Sequence, residues 1–210
     1  MSASIVLIAD LIGSRNVQER GDLQITLSET LERLNRRNPD IASPYTLTLG
    51  DEFQVVLNQA DHLFHDITSL LATITPELAR FSISVGEITT PLNPKQAIGM
   101  DGPAFYRARD ELETLKKGRG LFTLSGVSSD CLRLANLSLN LVAHNVRKWN
   151  PTRIQVLDRL YAHSPVSEIA QALQLSDKAI YKNIDAGELE QVMETFKEAE
   201  RLINQAVDGR

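Results

Sequence analysis

The sequence predicts an α+β fold, in which a mostly antiparallel sheet domain is followed by an all-helical C-terminal part. Three observations predict it. Up to about residue 125, short apolar runs typical of strands are interleaved with amphipathic helical stretches. Beyond that point, the apolar residues recur at the helical spacing of three and four. The length of 210 residues accommodates a main domain with a smaller appendage.

The elements of the sheet domain follow from hydrophobic spacing and turn residues. Residues 4–9 (SIVLIA) form a continuous apolar run, as expected for a strand that is buried on both faces. A helix over 22–37 precedes two strands, over 45–49 and 53–57, which flank a Gly50-Asp51 turn. The remaining elements are a helix over 60–74, a strand over 80–88, a helix over 100–117 and an edge strand over 121–124. This order predicts a ferredoxin-like arrangement with the helices on one side of the sheet.

The predicted domains are a sheet domain over 1–125, a long connecting helix over 126–149 and a helical domain over 150–210. A wide apolar stripe marks the connecting helix. Its residues are Leu132, Leu134, Ala135, Leu137, Leu139, Leu141, Val142, Val146 and Trp149. Two interpretations stay open, because such a stripe either packs on the neighbouring elements or forms the subunit interface of a homodimer.

Composition and charge limit the classes of partner. The formal net charge of −5 and the pI near 5.4 give no general attraction to nucleic acid, so any DNA contact must come from a local patch. A single cysteine, Cys131, excludes an internal disulfide framework and a cysteine-based metal cluster. The four histidines show no ligand spacing. The N-terminal apolar run is too short to cross a bilayer and lacks a basic flank, so we expect a cytoplasmic protein without a membrane partner.

Two carboxylates are the strongest candidates for chemistry. Asp10 ends the first buried strand, and Asp51 lies in the predicted hairpin turn with Glu52 beside it. If the first strand and the hairpin are neighbours, these side chains face each other at one rim, where a cation relieves their repulsion. Hard oxygen ligands of this kind suit Mg²⁺ or Mn²⁺. The structural alternative is that Asp51 only forms a turn and Asp10 only caps the following segment.

A phosphate-holding stretch is predicted directly after Asp10. Gly13 has no side chain to keep a ligand away from the backbone, so N–H groups of Leu11, Ile12, Gly13 and Ser14 are available for phosphate oxygens, with Arg15 beside them. Further on, Lys116, Lys117 and Arg119 in "KKGRG" are candidates to neutralise a triphosphate. A charged cluster of that kind is equally typical of a solvated turn.

The two aspartates carry a resemblance to palm-type nucleotidyl cyclases and GGDEF diguanylate cyclases, over residues 4–125. In those families one metal-binding carboxylate ends the first strand, another lies in the turn of the following hairpin, and a nucleoside triphosphate binds between them. The resemblance implies that Asp10 and Asp51 bind metal, and that Ile12, Gly13 and the turn residue Gly50 lie against the nucleotide. It also implies that Arg109, in the helix after the last cyclase-like loop, faces the nucleotide.

The chain departs from the cyclase pattern in two places. Cyclases carry an Asn one helical turn before the Arg that stabilises the transition state. The Asn position holds Phe105 if that Arg is Arg109, and Pro103 if it is Arg107. The diguanylate cyclase signature also has two glycines before the Asp, whereas Leu49 precedes Gly50 here. These departures favour a retained metal and phosphate site without the full catalytic apparatus, and whether the protein is an enzyme stays open.

The helical domain has the layout of a helix-turn-helix. Asn150 or Thr152 is expected to open a first helix, Ser167 to cap a second and Ser176 to cap a third. The phrase "IAQALQLS" followed by a polar helix resembles sigma-like and transposase-like helix-turn-helix segments. Its expected small core comprises Ala170, Leu173, Leu175, Ile180 and Ile184. The motifs "DLIGSR", "GDEFQ" and "GMDGPAFYRARD", combined with this C-terminal helix-turn-helix, resemble the SatD family of bacterial proteins.

The third helix is the expected DNA-reading helix, with Asp177, Lys178, Tyr181 and Lys182 facing outward. Between 150 and 210, however, ten acidic residues outnumber seven basic ones. A use in protein contacts therefore stays open. Three hypotheses follow: a DNA-binding regulator that senses a nucleotide (ATP or GTP type) with Mg²⁺, a cyclase-like enzyme acting on nucleoside triphosphates, or a protein–protein adaptor.

Overall fold

The computed structural model describes residues 3–13, 20–48, 50–127 and 131–209 of the chain. The sheet part alternates strands and helices: β1 Ser4–Leu11, α1 Arg20–Arg37, β2 Ile41–Leu47, β3 Glu52–Leu57, α2 Leu63–Ile74, β4 Ala79–Gly86, α3 Pro103–Lys116 and β5 Phe122–Ser125. Five helices follow: α4 Leu132–Val146, α5 Pro151–Tyr161, α6 Val166–Leu173, α7 Asp177–Gly187 and α8 Leu189–Val207. The predicted α+β class is therefore confirmed.

The strands form one five-stranded sheet in the order β2-β3-β1-β4-β5. The β1–β3, β2–β3 and β1–β4 pairs are antiparallel, whereas β5 joins β4 in parallel. Because β1 lies between β3 and β4, the chain end of β1 meets the β2–β3 turn at the same rim of the sheet. The strand β5 lies at an edge, as predicted, and the Asn136 side chain of α4 caps it by accepting from Leu124 N and donating to Leu124 O, both at 2.8 Å.

Both faces of β1 are buried, which explains its continuous apolar sequence. Ile5, Leu7 and Ala9 point to one face and join the large core with α1, α2 and the C-terminal helices. Val6 and Ile8 point to the other face and pack against α3. The expectation that all helices lie on one side of the sheet is wrong, because α3 presents its own apolar stripe of Ala104, Phe105, Ala108 and Leu112 to the second face.

The C-terminal helices pack on the sheet domain through the same large core. The Phe196 ring of α8 stacks on Phe64 of α2, with ring centroids 4.3 Å apart, and meets Phe122 of β5 edge-on. The wide apolar surface of α8 thus faces the sheet domain as well as the neighbouring helices. The orientation of α6 and α7 is therefore set through α5 and α8, which both contact α2.

Two of the three helix caps that the sequence predicts for the C-terminal helices are present in the structure. The Asn150 side chain accepts from Arg153 N, and the Ser176 side chain accepts from Ala179 N. The predicted Ser167 cap is wrong, because α6 already begins at Val166 after Pro165. Between α6 and α7, Gln174 adopts the left-handed conformation (φ 55°) that glycine usually supplies.

Candidate functional site at the rim of the sheet

Asp10 and the β2–β3 turn converge at one rim of the sheet, as the sequence predicts. Asp10 is the register partner of Glu52, and the Leu11 amide donates to the Asp51 carbonyl at 3.2 Å. Gly50 forms the turn with φ 66°, and its carbonyl accepts from the Gln24 side chain at 2.9 Å. The backbone pairing therefore brings Asp10, Asp51 and Glu52 to the same rim of the sheet.

Asp10 lies among charges of both signs. Its carboxylate is 3.3 Å from Arg80 Nη1 and 3.9 Å from Lys116 Nζ, and its side chain is 14% exposed. Burial raises the pKa of Asp10; Lys116 and Arg80 oppose the rise, whereas Asp51 and Glu52 add to it. The mutual repulsion of the carboxylates is thus a physical property of this rim, and a bound cation would relieve it.

Glu52 has a different environment, because its negative charge is paired with the positive charge of Arg109. Its Oε1 lies 2.5 Å from Arg109 Nη1 and accepts from the Thr48 hydroxyl at 3.1 Å, and the residue is buried. Arg109 therefore reaches the rim through Glu52. Arg107 points elsewhere, because its Nη2 donates to the Val85 carbonyl at 2.7 Å.

The predicted phosphate-holding stretch is only partly available. The Leu11 and Ile12 amides donate to the carbonyls of Asp51 and Leu78, at 3.2 and 2.7 Å, so the fold itself satisfies them. Gly13 is exposed, with φ 75° and open space where a side chain would start. Ser14 and Arg15 lie outside the described residues. Of this stretch, Gly13 is the described position where a ligand can approach the backbone closely.

The helix α3 supplies the remaining rim residues. Lys116, in its last turn, lies between Asp10 and Glu113, whose carboxylate is 2.9 Å from Lys116 Nζ. Lys117 follows the helix and is exposed. Phe105, one of the two candidate positions for the cyclase-type Asn, is buried in the core between α3 and the sheet.

The donor set of the rim fits a weakly coordinated hard cation. In the described part of the chain, no group of three or more His, Cys, Asp or Glu side chains is arranged to hold a metal ion. Glu52 is paired with Arg109, and Asp10 itself contacts Arg80 and Lys116, so Asp10 and Asp51 would be the carboxylates that reach a cation. Mg²⁺ commonly binds through one or two carboxylates and keeps water on its other positions. A donor set of this size is compatible with Mg²⁺.

The helix α7 presents the four residues that the sequence assigns to DNA. Asp177, Lys178, Tyr181 and Lys182 are all exposed, while Ile180 on the opposite side is fully buried. Ala170 and Ile180 are both buried in the large core, and α6 packs against α7. Leu175, expected in this small core, is 39% exposed because it lies in the turn between the two helices.

The sequence model of the SatD family matches residues 4–203. The chain belongs to the SatD family. The match runs from β1 into α8, so the rim and the helical part both lie within the family's sequence. Among proteins with curated descriptions, none matches the chain. None of the described helices is both long and apolar enough to cross a membrane.

A buried polar network in this SatD-family chain was missed by the sequence reasoning. Asp66 of α2 accepts from Arg37 Nη2 at 2.8 Å, Asn38 Nδ2 at 2.7 Å and the Tyr45 hydroxyl at 3.0 Å. Nearby, Glu200 of α8 is buried and accepts from the Phe64 amide at 2.9 Å. The available signal was a carboxylate on the apolar face of each helix, in "LFHDITSLL" and "FKEAERLI".

Proposed function

We propose that the protein is a DNA-binding regulator whose sheet domain binds a nucleotide together with Mg²⁺ (or Mn²⁺). Asp10 and Asp51 would hold the metal, and Gly13 and Lys116 would lie beside the nucleotide's phosphates. The observation that carries the proposal is the convergence of Asp10 and the Asp51 turn at one rim, where Asp51 contributes to the raised pKa of Asp10.

The strand order supports a ferredoxin-like, palm-type sheet domain. Read from the opposite edge, the first four strands lie in the order β4-β1-β3-β2, with α1 and α2 as the two crossovers. In such a sheet the end of β1 and the β2–β3 turn share a rim. The pairing of the two carboxylates then follows from topology, although they are 41 residues apart in the sequence.

A sensor is favoured over an enzyme by the surroundings of Phe105. A cyclase needs a polar group there to orient the nucleotide, whereas Phe105 packs against the sheet. Arg109, the candidate for stabilising charge in the transition state, is bound to Glu52 at 2.5 Å. Binding of a nucleotide–metal complex needs neither group to be free.

The second candidate function is a cyclase-like enzyme, and one observation favours it. Arg109 is 45% exposed and lies at the rim, so a triphosphate could draw it away from Glu52. In that case two metal ions at Asp10 and Asp51 would activate an oxygen nucleophile and stabilise the leaving diphosphate. Release of pyrophosphate from ATP or GTP separates the candidates, because the regulator predicts none.

The helical part supports the regulatory half of the proposal. The α6–α7 pair has the turn, the small crossing residue Ala170 and the exposed face of a helix-turn-helix. Because α5 and α8 pack on α2 and the sheet within one core, a change at the sheet domain can be passed to α7 through rigid contacts. An adaptor that uses the same helices for protein contacts would lack any DNA response.

Nucleotide binding is tested by thermal melting with ATP and with GTP, each with and without Mg²⁺. We expect one nucleotide to raise the melting temperature only with Mg²⁺, and Asp51→Asn to abolish the rise because a ligand oxygen loses its charge. The matched control is Asp110→Asn, an exposed aspartate of α3 that is not among the charges acting on Asp10. An equal response of Asp51→Asn and wild type would count against the metal site.

DNA binding is tested by a salt-titrated shift assay on genomic fragments. We expect Lys178→Gln and Lys182→Gln each to weaken binding and to reduce the slope of log K against log salt by about one. Lys197→Gln, an exposed lysine of α8 that is paired with Glu194, is the control. If wild type binds and both α7 variants retain its affinity and slope, α7 is not the DNA-reading helix.

A homodimer is part of the proposal, since a helix-turn-helix commonly reads two half-sites. Its proposed interface is the outer side of α4, where Leu134, Leu137 and Leu141 are 64%, 54% and 70% exposed. These three residues occupy one face of the helix, at spacings of three and four. We expect Leu137→Glu to leave a folded monomer in light scattering; a wild-type monomer at micromolar concentration would remove the dimer from the proposal.

A further inference from the structure

A second, basic site lies beside the rim, between the loop after α3 and the C-terminal part of α4. It is a cavity of about 370 Å³ lined by Arg119, Gly120, Asn140, His144, Arg147 and Lys148. Three of these side chains, Arg119, Arg147 and Lys148, carry a positive charge at neutral pH. Of the described residues that line it, none carries a carboxylate. The chain as a whole has a net charge of −5, so this concentration of positive charge is local.

The arginines of this cavity repel one another. Arg147 is partly buried, and its Nε donates to the Arg119 carbonyl at 2.7 Å, which holds its guanidinium against the loop. Burial lowers the pKa of Arg147, and the charges of Arg80 and Arg119 lower it further. Like charges held together at a partly buried place destabilise the fold unless a counter-ion offsets them.

Arg80 of β4 is close enough for its charge to act on Arg147, although it does not line the cavity. Its Nη1 contacts Asp10 at 3.3 Å, while its Nε is buried and has no hydrogen-bond partner within the described parts of the chain, as is also true of Arg107 and Arg153. The cavity and the positive side chains that line it, rather than this nitrogen, therefore indicate a place where an acceptor with negative charge is favourable.

The helix dipole explains only part of this arrangement. Basic residues at a helix C-terminus stabilise the helix, which accounts for His144, Arg147 and Lys148 at the end of α4. It does not account for Arg119 of the loop or Arg80 of β4, which come from different elements and whose charges also act on Arg147. Arginines from three elements are therefore close together, although stabilising the C-terminus of α4 requires only the basic residues of α4 itself.

We propose that this cavity binds the phosphate groups of a small phosphorylated molecule, without a divalent metal. Guanidinium groups suit phosphate oxygens because they offer paired N–H donors in a plane. Asn140 supplies a neutral donor, and Lys148 a further charge. A cavity of this size takes a pyrophosphate-sized group but not a duplex, so the ligand is a small molecule and not the backbone of nucleic acid. The proposal does not rest on the metal site at Asp10 and Asp51.

The test is calorimetric titration with pyrophosphate and with inorganic phosphate, in the presence of a chelator. We expect saturable binding of pyrophosphate, weakened about tenfold by Arg119→Gln and by Lys148→Gln, because each removes a charged hydrogen-bond donor. Arg36→Gln is the matched control, an exposed arginine of α1 outside the cavity that should leave the affinity unchanged. Equal affinities of wild type and the Arg119→Gln/Lys148→Gln double variant would overturn the proposal.

Two further arms identify the source of the phosphate and separate this site from the rim. A duplex oligonucleotide should not displace pyrophosphate, and displacement would overturn the assignment to a small molecule. Asp51→Asn should bind pyrophosphate as wild type does when the chelator is present. If Asp51→Asn lost pyrophosphate binding, the two sites would be one and the proposal would be contradicted. If the rim does not bind a metal–nucleotide complex, the expected pyrophosphate binding at the cavity is unchanged.

Discussion

Asp10 at the rim is partly buried and Asp66 of α2 is fully buried, and the surroundings of the two carboxylates differ in kind. Among the described residues, the Asp66 carboxylate accepts hydrogen bonds from Arg37, Asn38 and Tyr45, and all three oppose the rise that burial imposes on its pKa. At Asp10, Lys116 and Arg80 oppose the rise, but Asp51 and Glu52 add to it. A carboxylate with a complete set of donors stabilises a fold, whereas one facing other carboxylates is better suited to a cation.

The first way to test this comparison is to remove Asp66, which should have the largest effect. Asp66→Ala leaves Arg37, Asn38 and the Tyr45 hydroxyl without their shared acceptor, so we expect the free energy of unfolding to fall by about 3 kcal/mol. Urea unfolding measures it. Asp110→Ala, at an exposed position, should change the same quantity by no more than about 0.5 kcal/mol. Similar values for the two variants would mean that Asp66 contributes little to the fold.

The second test uses the pH dependence of Glu200, which lies with Asp66 at the junction, the packed region where α8 meets α2. Burial raises the pKa of Glu200 to about 8, although the Phe64 amide and Lys197 oppose the shift. Because the folded protein binds the proton more tightly than the unfolded chain, this contribution is fully present below about pH 4.5 and is lost as pH rises through 8. Glu200→Gln keeps the acceptor for Phe64 and removes the titration.

We therefore expect Glu200→Gln to gain stability relative to wild type between pH 5 and pH 9, on the order of 2 kcal/mol in the free energy of unfolding. Urea unfolding at several pH values measures the difference. Glu190→Gln, at an exposed position of the same helix, is the control, and its free energy of unfolding should change with pH as that of wild type does. A constant difference between Glu200→Gln and wild type across this range would show that Glu200 does not titrate there.

The smallest effect on stability is expected at the rim. Without a divalent ion, Asp10→Asn removes repulsion from Asp51 and Glu52 while losing the attraction of Arg80 and Lys116. These effects oppose each other, so we expect the free energy of unfolding at pH 7 to change by less than about 1 kcal/mol. A loss as large as that of Asp66→Ala, in the same urea experiment, would make Asp10 a structural carboxylate and would erase the contrast between the two regions.

The sequence predicted the rim better than it predicted the junction, and the reason is physical. Strand ends and turns are local signals, and the order of elements then places Asp10 beside the turn. The α3 helix was assigned to the wrong face, because its apolar stripe does not say which side of a sheet it covers. The partners of Asp66 and Glu200 come from positions up to 136 residues away, so only packing brings them together.

The sequence also could not foresee which rim donors the fold would use. Leu11 and Ile12 were assigned to phosphate, but the antiparallel hairpin and the segment before β4 take up their amides. Likewise, nothing in the spacing of "KKGRG" shows that Arg119 meets Arg147 across the cavity at the end of α4. Which backbone amides already have hydrogen-bond partners, and which like charges lie close together, is decided only when the chain folds.

The central claim is that Asp10 and Asp51 share one divalent ion, and Mn²⁺ binding in the presence of the responding nucleotide tests it most directly. Electron paramagnetic resonance of free Mn²⁺ gives the affinity for wild type, Asp10→Asn, Asp51→Asn and the double variant. We predict that each single substitution lowers the affinity at least tenfold and that the double variant loses little more, since one shared site is already broken. Binding that persists undiminished in either single variant would contradict the claim.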